Sequence, residues 1–146
     1  MHNLPQTHRR SAAVVWSSAM AAIAVCLSMT AMSETLTLAG SNEVPPVTTA
    51  ATGTAMVTIG ADRSVKANVT ASGMTATASH IHMGAPGANG PVIVPFAKTG
   101  DNAFAAGADA KLTEEQFAAY KAGNLYVNVH SAANPGGEIR AQLKGS

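Results

Sequence analysis

The chain has 146 residues, the size of one domain, of which 47% are hydrophobic, 12% charged and only 4% aromatic. A net charge of +1 with no stripe of Lys and Arg argues against a nucleic-acid partner, which needs clustered cations against phosphate. Large side chains are scarce, so the core is expected from Val, Ile, Leu and Met.

Residues 1–10 contain no acid and end in Arg9-Arg10, and residues 11–33 carry no charge. That run holds Val14, Val15, Trp16, Ile23, Val25 and Leu27. It closes on Ala31-Met32-Ser33, with small residues where a signal peptidase reads. Basic flank, apolar stretch and small-x-small form the pattern of a secretory signal peptide. The expectation is a leader over residues 1–33, a mature domain over residues 34–146, and a periplasmic or secreted location. The run is also long enough to cross a bilayer, so membrane attachment follows if the leader stays uncleaved. Arg9-Arg10 has nothing around it to support a twin-arginine route. Val25 stands before Cys26 where lipid attachment expects a small residue. Cys26 is the one cysteine; it leaves with the leader, and no disulfide can then staple the mature chain.

Beyond the leader, period-two alternation dominates. Leu36 and Leu38 open a short strand that stops at Gly40-Ser41-Asn42. Glu43-Val44-Pro45-Pro46-Val47 cannot be a central strand, because two prolines lack ladder donors; it reads as an edge segment or ordered loop. Ala55, Val57 and Ile59 line one face of a second strand. Val65, Ala67, Val69 and Ala71 alternate with polar residues in a third, and Asp62-Arg63 between these two suggests a hairpin. A fourth strand runs from about Thr77 to Met83 and breaks on the glycine- and proline-rich residues 84–91. There Asn89-Gly90-Pro91 is expected to turn with Gly90 at positive φ. Val92, Ile93 and Val94 follow as a strand expected to be covered on both faces, and residues 98–111 read as a loop. Thr113-Glu114-Glu115-Gln116 fits a capping box. It starts a helix with Phe117 and Tyr120 on its buried side and Gly123 at its end. Residues 125–130 and 137–143 give two more alternating strands. Seven strands and one short helix predict an all-β, Greek-key β-sandwich.

Several segments match a known family in order. They are Glu43-Val44-Pro45-Pro46-Val47 with Ala51-Thr52-Gly53, then His80-Ile81-His82-Met83-Gly84 through Asn89-Gly90-Pro91-Val92. Gly123-Asn124-Leu125-Tyr126-Val127-Asn128-Val129-His130 and Pro135-Gly136-Gly137-Glu138-Ile139-Arg140 complete the set. With them the mature chain resembles the CHRD domain, the module named after chordin and also found in exported bacterial proteins. Ser131, where the family often has Thr, and Ala141, where Gly is common, are small departures. The resemblance implies an immunoglobulin-like or superoxide-dismutase-like sandwich and says little about activity, since fold does not settle function.

Of the five histidines, His2 and His8 belong to the leader, leaving His80, His82 and His130. Strand residues two apart project from one face. His80 and His82 therefore point away from Ile81 and Met83, while Tyr126, Asn128 and His130 point away from Leu125, Val127 and Val129. If these strands are neighbours, three imidazoles converge. Imidazole is the commonest ligand of zinc and copper, and without thiolates the raw affinity order favours copper over zinc. His-x-His on a strand also resembles the copper-ligand strand of copper–zinc superoxide dismutases, but the bridging histidine, second metal set and disulfide of that enzyme are missing. A second reading stays open, a metal-free sandwich binding an extracytoplasmic protein or matrix. In it His80 bonds a loop carbonyl, His82 sits exposed and His130 caps the turn at residues 134–137. Glu138 and Arg140 share a strand face and read as a surface ion pair, and Glu43 reads as capping a turn or pointing into the site. No nucleophile elbow, paired carboxylates or phosphate loop is present.

Overall fold

The computed structural model describes residues 30–145, so the expected leader up to residue 29 lies outside the described residues. Eight strands follow in order: β1 (Met32–Ala39), β2 (Thr52–Ile59), β3 (Val65–Ser72), β4 (Ala76–Met83), β5 (Val92–Gly100), β6 (Ala103–Ala106), β7 (Leu125–Ser131) and β8 (Ile139–Gln142). One helix, α1 (Glu114–Lys121), stands between β6 and β7. The boundary expected after Ser33 falls inside β1, where Met32 and Ser33 pair with Ile59 and Thr58.

The all-β class holds, but the sandwich does not. The strands close into one antiparallel barrel in the order β1-β2-β3-β6-β5-β4-β7-β8, with β8 returning to β1 through Ala39 and Arg140. The missing element was β6, inside the segment read as a loop. It has four residues and a single large side chain, Phe104, too little to show a period. Yet it pairs with β3 on one side and β5 on the other, and without it the sheet would stay open. β5 likewise runs on to Gly100. Its start is not covered on both faces: Val92 is 47% exposed and Ile93 half-buried, and only Val94 is buried.

The lumen is filled by the inward half of each alternating strand, as a barrel of eight strands requires. Leu36, Leu38, Val57, Ile59, Val69, Ile81, Phe104, Leu125, Val127, Val129 and Ile139 form one buried cluster. Methionine contributes less than expected, since Met32 and Met56 are exposed. The helix starts as its sequence dictates. Thr113 Oγ1 accepts from the Gln116 N–H at 3.2 Å, and Gln116 Oε1 accepts from the Thr113 N–H at 2.9 Å. Tyr120 is buried against the core with Phe117 beside it, and Gly123 follows the helix at φ +74°.

One wall departs from simple alternation. All seven residues of β7 are buried, because its outer face is also covered. Residues 84–91 lie across that face from one side and residues 134–137 from the other, and the Glu43–Val47 segment is tied to the first of these where Asn89 Nδ2 donates to the Val44 carbonyl at 2.7 Å. A second, polar interior therefore sits outside the barrel on β4, β7 and β8.

Candidate metal centre

Register builds the site. β4 and β7 are antiparallel neighbours, with His80 opposite Asn128, His82 opposite Tyr126, and Ala78 opposite His130. β7 in turn sets Asn128 beside Arg140 and Tyr126 beside Gln142 on β8. Asn128 thus lies directly across from His80, with His82 diagonal to it on β4 and His130 two residues on along β7 itself, spacings within reach of long side chains. The three expected histidines do come together: their ring nitrogens lie within 4.8 Å of one another. Ring centroids are 4.8 Å apart for His80 and His130, 5.5 Å for His80 and His82, and 5.9 Å for His82 and His130.

The covering loops set the ring orientations. His82 Nδ1 meets the Gly90 carbonyl at 2.9 Å, and His130 Nδ1 meets the Pro135 carbonyl at 3.0 Å. A carbonyl only accepts, so both Nδ1 atoms carry the proton and both Nε2 atoms keep a lone pair. This is the way metal-ligating histidines are generally held, by a hydrogen bond on the nitrogen facing away from the ion. His130 Nε2 faces His80 Nδ1 at 3.0 Å. His82 Nε2 is buried with no hydrogen-bond partner. His82 is therefore not exposed, and His80 bonds another histidine instead of a loop carbonyl.

Electrostatics keep the cluster neutral. Burial, reinforced by the neighbouring His130 and His82, drives His80 from 6.5 down to about 4. Burial also lowers His82 and His130, against the upward pull of their carbonyl partners. All three are unprotonated at neutral pH, the state in which imidazole ligates.

Around the histidines stand residues that carried no signal of their own. The Tyr126 ring lies parallel to His82, with centroids 4.8 Å and planes 7° apart. The Arg140 guanidinium lies 3.4 Å from the centre of the same ring, giving an imidazole–phenol–guanidinium stack. Arg140 is 2% exposed and makes no ion pair with Glu138. It donates instead to Asn89 Oδ1 at 3.1 Å and to the Ala88 carbonyl at 2.7 Å, pinning residues 84–91 over the site. Glu138 accepts from Thr49 Oγ1 at 2.7 Å, and hydrogen bonds from Ser131 and Thr49 hold its carboxyl below the usual range. Gly90 is not at positive φ. A side chain there would run into the Met83 carbonyl, so glycine is required by close approach. What could have been read from sequence is the shared face of Tyr126, Asn128 and His130, but nothing in it assigns Asn128 a role.

Glu43 is 5% exposed, and its Oε1 has no hydrogen-bond partner. Burial pushes its carboxyl from 4.5 up to about 7, against the charge of Arg140 and the amide of Asn128. A cleft of about 300 Å³ opens beside it between the Pro45-Pro46 segment and residues 133–137.

The CHRD domain model matches residues 35–143. The chain belongs to the CHRD-domain family. For this CHRD domain, neither the curated proteins nor the solved structures give a match. The match runs from within β1 through β8 and takes in all three histidines, so the clustered imidazoles belong to the CHRD domain itself.

Proposed function

We propose that this CHRD domain is an exported metal-binding module that holds one divalent ion, copper in preference to zinc, through His80, His82 and His130. The observation that carries this reading is the orientation of the rings. Two imidazoles are fixed by loop carbonyls so that their Nε2 lone pairs turn inward, and His82 Nε2 is left buried with nothing to accept from. A buried acceptor without a donor costs about 1–3 kcal/mol, and a cation offsets that cost. Three neutral imidazoles without thiolate suit copper(II) or zinc. Export rests on the leader pattern of residues 1–33.

A metal-free role has one observation in its favour. His80 and His130 satisfy each other at 3.0 Å, so two of the three rings are content without an ion. Calorimetric titration of the purified protein with copper(II) and zinc at neutral pH separates the two. One ion per chain, with binding lost in His80→Ala and His82→Ala, is the expected result. No binding, or binding unchanged in both variants, leaves the protein- or matrix-binding reading. Superoxide turnover by the loaded protein would test a catalytic use of the ion.

A further inference from the structure

Three buried polar atoms of the outer interior have no hydrogen-bond partner among the described residues: His82 Nε2, Asn128 Oδ1 and Glu43 Oε1. The first is an acceptor because the Gly90 carbonyl holds the proton on Nδ1. The other two are oxygens. A group of acceptors shut away from water has no stable arrangement unless a cation or a donor stands among them.

The amide of Asn128 has a determined orientation. A Cβ on Gly137 would lie 2.5 Å from Glu43 Oε1 and 2.7 Å from Asn128 Nδ2, so both atoms border the same glycine, and any larger residue would displace them. An amide nitrogen beside a carboxyl oxygen is the favourable pairing, and the reverse would oppose two acceptors. With Nδ2 on the Glu43 side, the planar amide turns Oδ1 the other way, towards the imidazoles.

We infer that Asn128 supplies a fourth protein ligand, its Oδ1, to the ion held by the three histidines, and that Glu43 positions this amide from behind. The inference rests on the three-histidine reading and deepens it. Three imidazoles and one carbonyl-type oxygen make a harder set than imidazole alone. The site thereby favours a divalent ion over copper(I), whose preferred partners are soft sulfur ligands. Glu43 is a positioning residue; it acts on the ion through Asn128.

Cobalt(II) titration of the full chain, followed by its visible absorption, tests this. Asn128→Ala should weaken cobalt binding about 100-fold and change the absorption band, the upper range for loss of a supporting group at a metal site. Asn128→Asp, which keeps an oxygen in place and adds charge, should bind at least as tightly as the native chain. It decides the matter if the alanine variant does not fold. Glu43→Ala should weaken binding about 10-fold, with Glu43→Gln restoring it, since its amide oxygen can still accept from Asn128. Cobalt bound with the same affinity and spectrum by the native chain, Asn128→Ala and Asn128→Asp would overturn the fourth ligand and leave the three histidines standing. No cobalt on the native chain would remove the three-histidine reading itself.

Discussion

The barrel lumen and the covered outer face of β4, β7 and β8 are both buried, but they are held by different physics. The lumen is apolar and stabilised by area removed from water, so its residues are interchangeable within limits of volume. The outer interior is built from Arg140, Tyr126, Asn128, Glu43 and the histidines, polar groups whose burial depends on directed contacts. Losing one partner there leaves another unsatisfied. One region specifies the fold, and the other depends on the fold being already in place.

The largest expected effect lies in the lumen. Phe104→Ala should destabilise the protein by about 3–5 kcal/mol in denaturant unfolding while leaving metal affinity in the folded protein unchanged. A parallel loss of metal binding would erase the separation between the two regions. Next comes the ion. At 100 times its dissociation constant, bound metal should add about 2.7 kcal/mol of stability, and thermal melts should show that gain vanish in His82→Ala. Arg140→Lys should cost about 2 kcal/mol, since a lysine keeps the charge but neither forks to Asn89 and Ala88 nor stacks flat on Tyr126. Hydrogen exchange should then report faster opening of residues 84–91. Equal protection in both proteins would show that the guanidinium does not hold that loop.

The finest test is one of sign. The histidines lie below 6.5 in the folded chain, His80 at about 4, so between those values the unfolded chain binds more protons. The metal-free protein should therefore lose stability as pH falls from 6.5 towards 4. Metal affinity should persist to lower pH than free imidazole would allow. Glu43 acts in the opposite direction. Its folded value of about 7 exceeds 4.5, so its contribution is present at low pH and lost as pH rises through 7. Melting curves across this range should show His80→Gln flattening the acid limb and Glu43→Gln the neutral one.

The lumen was largely legible in the sequence, because alternation is a local signal. Val65, Ala67 and Val69 announce their face without reference to any other strand. Closure was not legible. It depends on β6, whose Phe104 alone cannot show a period, and on pairings between strands far apart in the chain. At the site, the direction of His80, His82 and His130 followed from strand geometry. Their burial did not, because it is imposed by loops whose placement depends on Arg140 reaching Ala88 and Asn89. Reading Arg140 as a surface partner of Glu138 failed for that reason. Asn128 could be assigned a face but no role, since its surroundings come from β4, β8 and the Glu43 segment at once.

Arg140 also carries a consequence for the order of assembly. Its backbone pairs with Ala39 to join the last strand to the first, and its side chain clamps residues 84–91 over the histidines. A nascent chain that has passed His130 already owns all three imidazoles, yet it lacks both the seam and the clamp. The cover over the three histidines is completed by the same residue that completes the ring of strands, so on the proposed reading an ion could be fully enclosed only after β8 has docked.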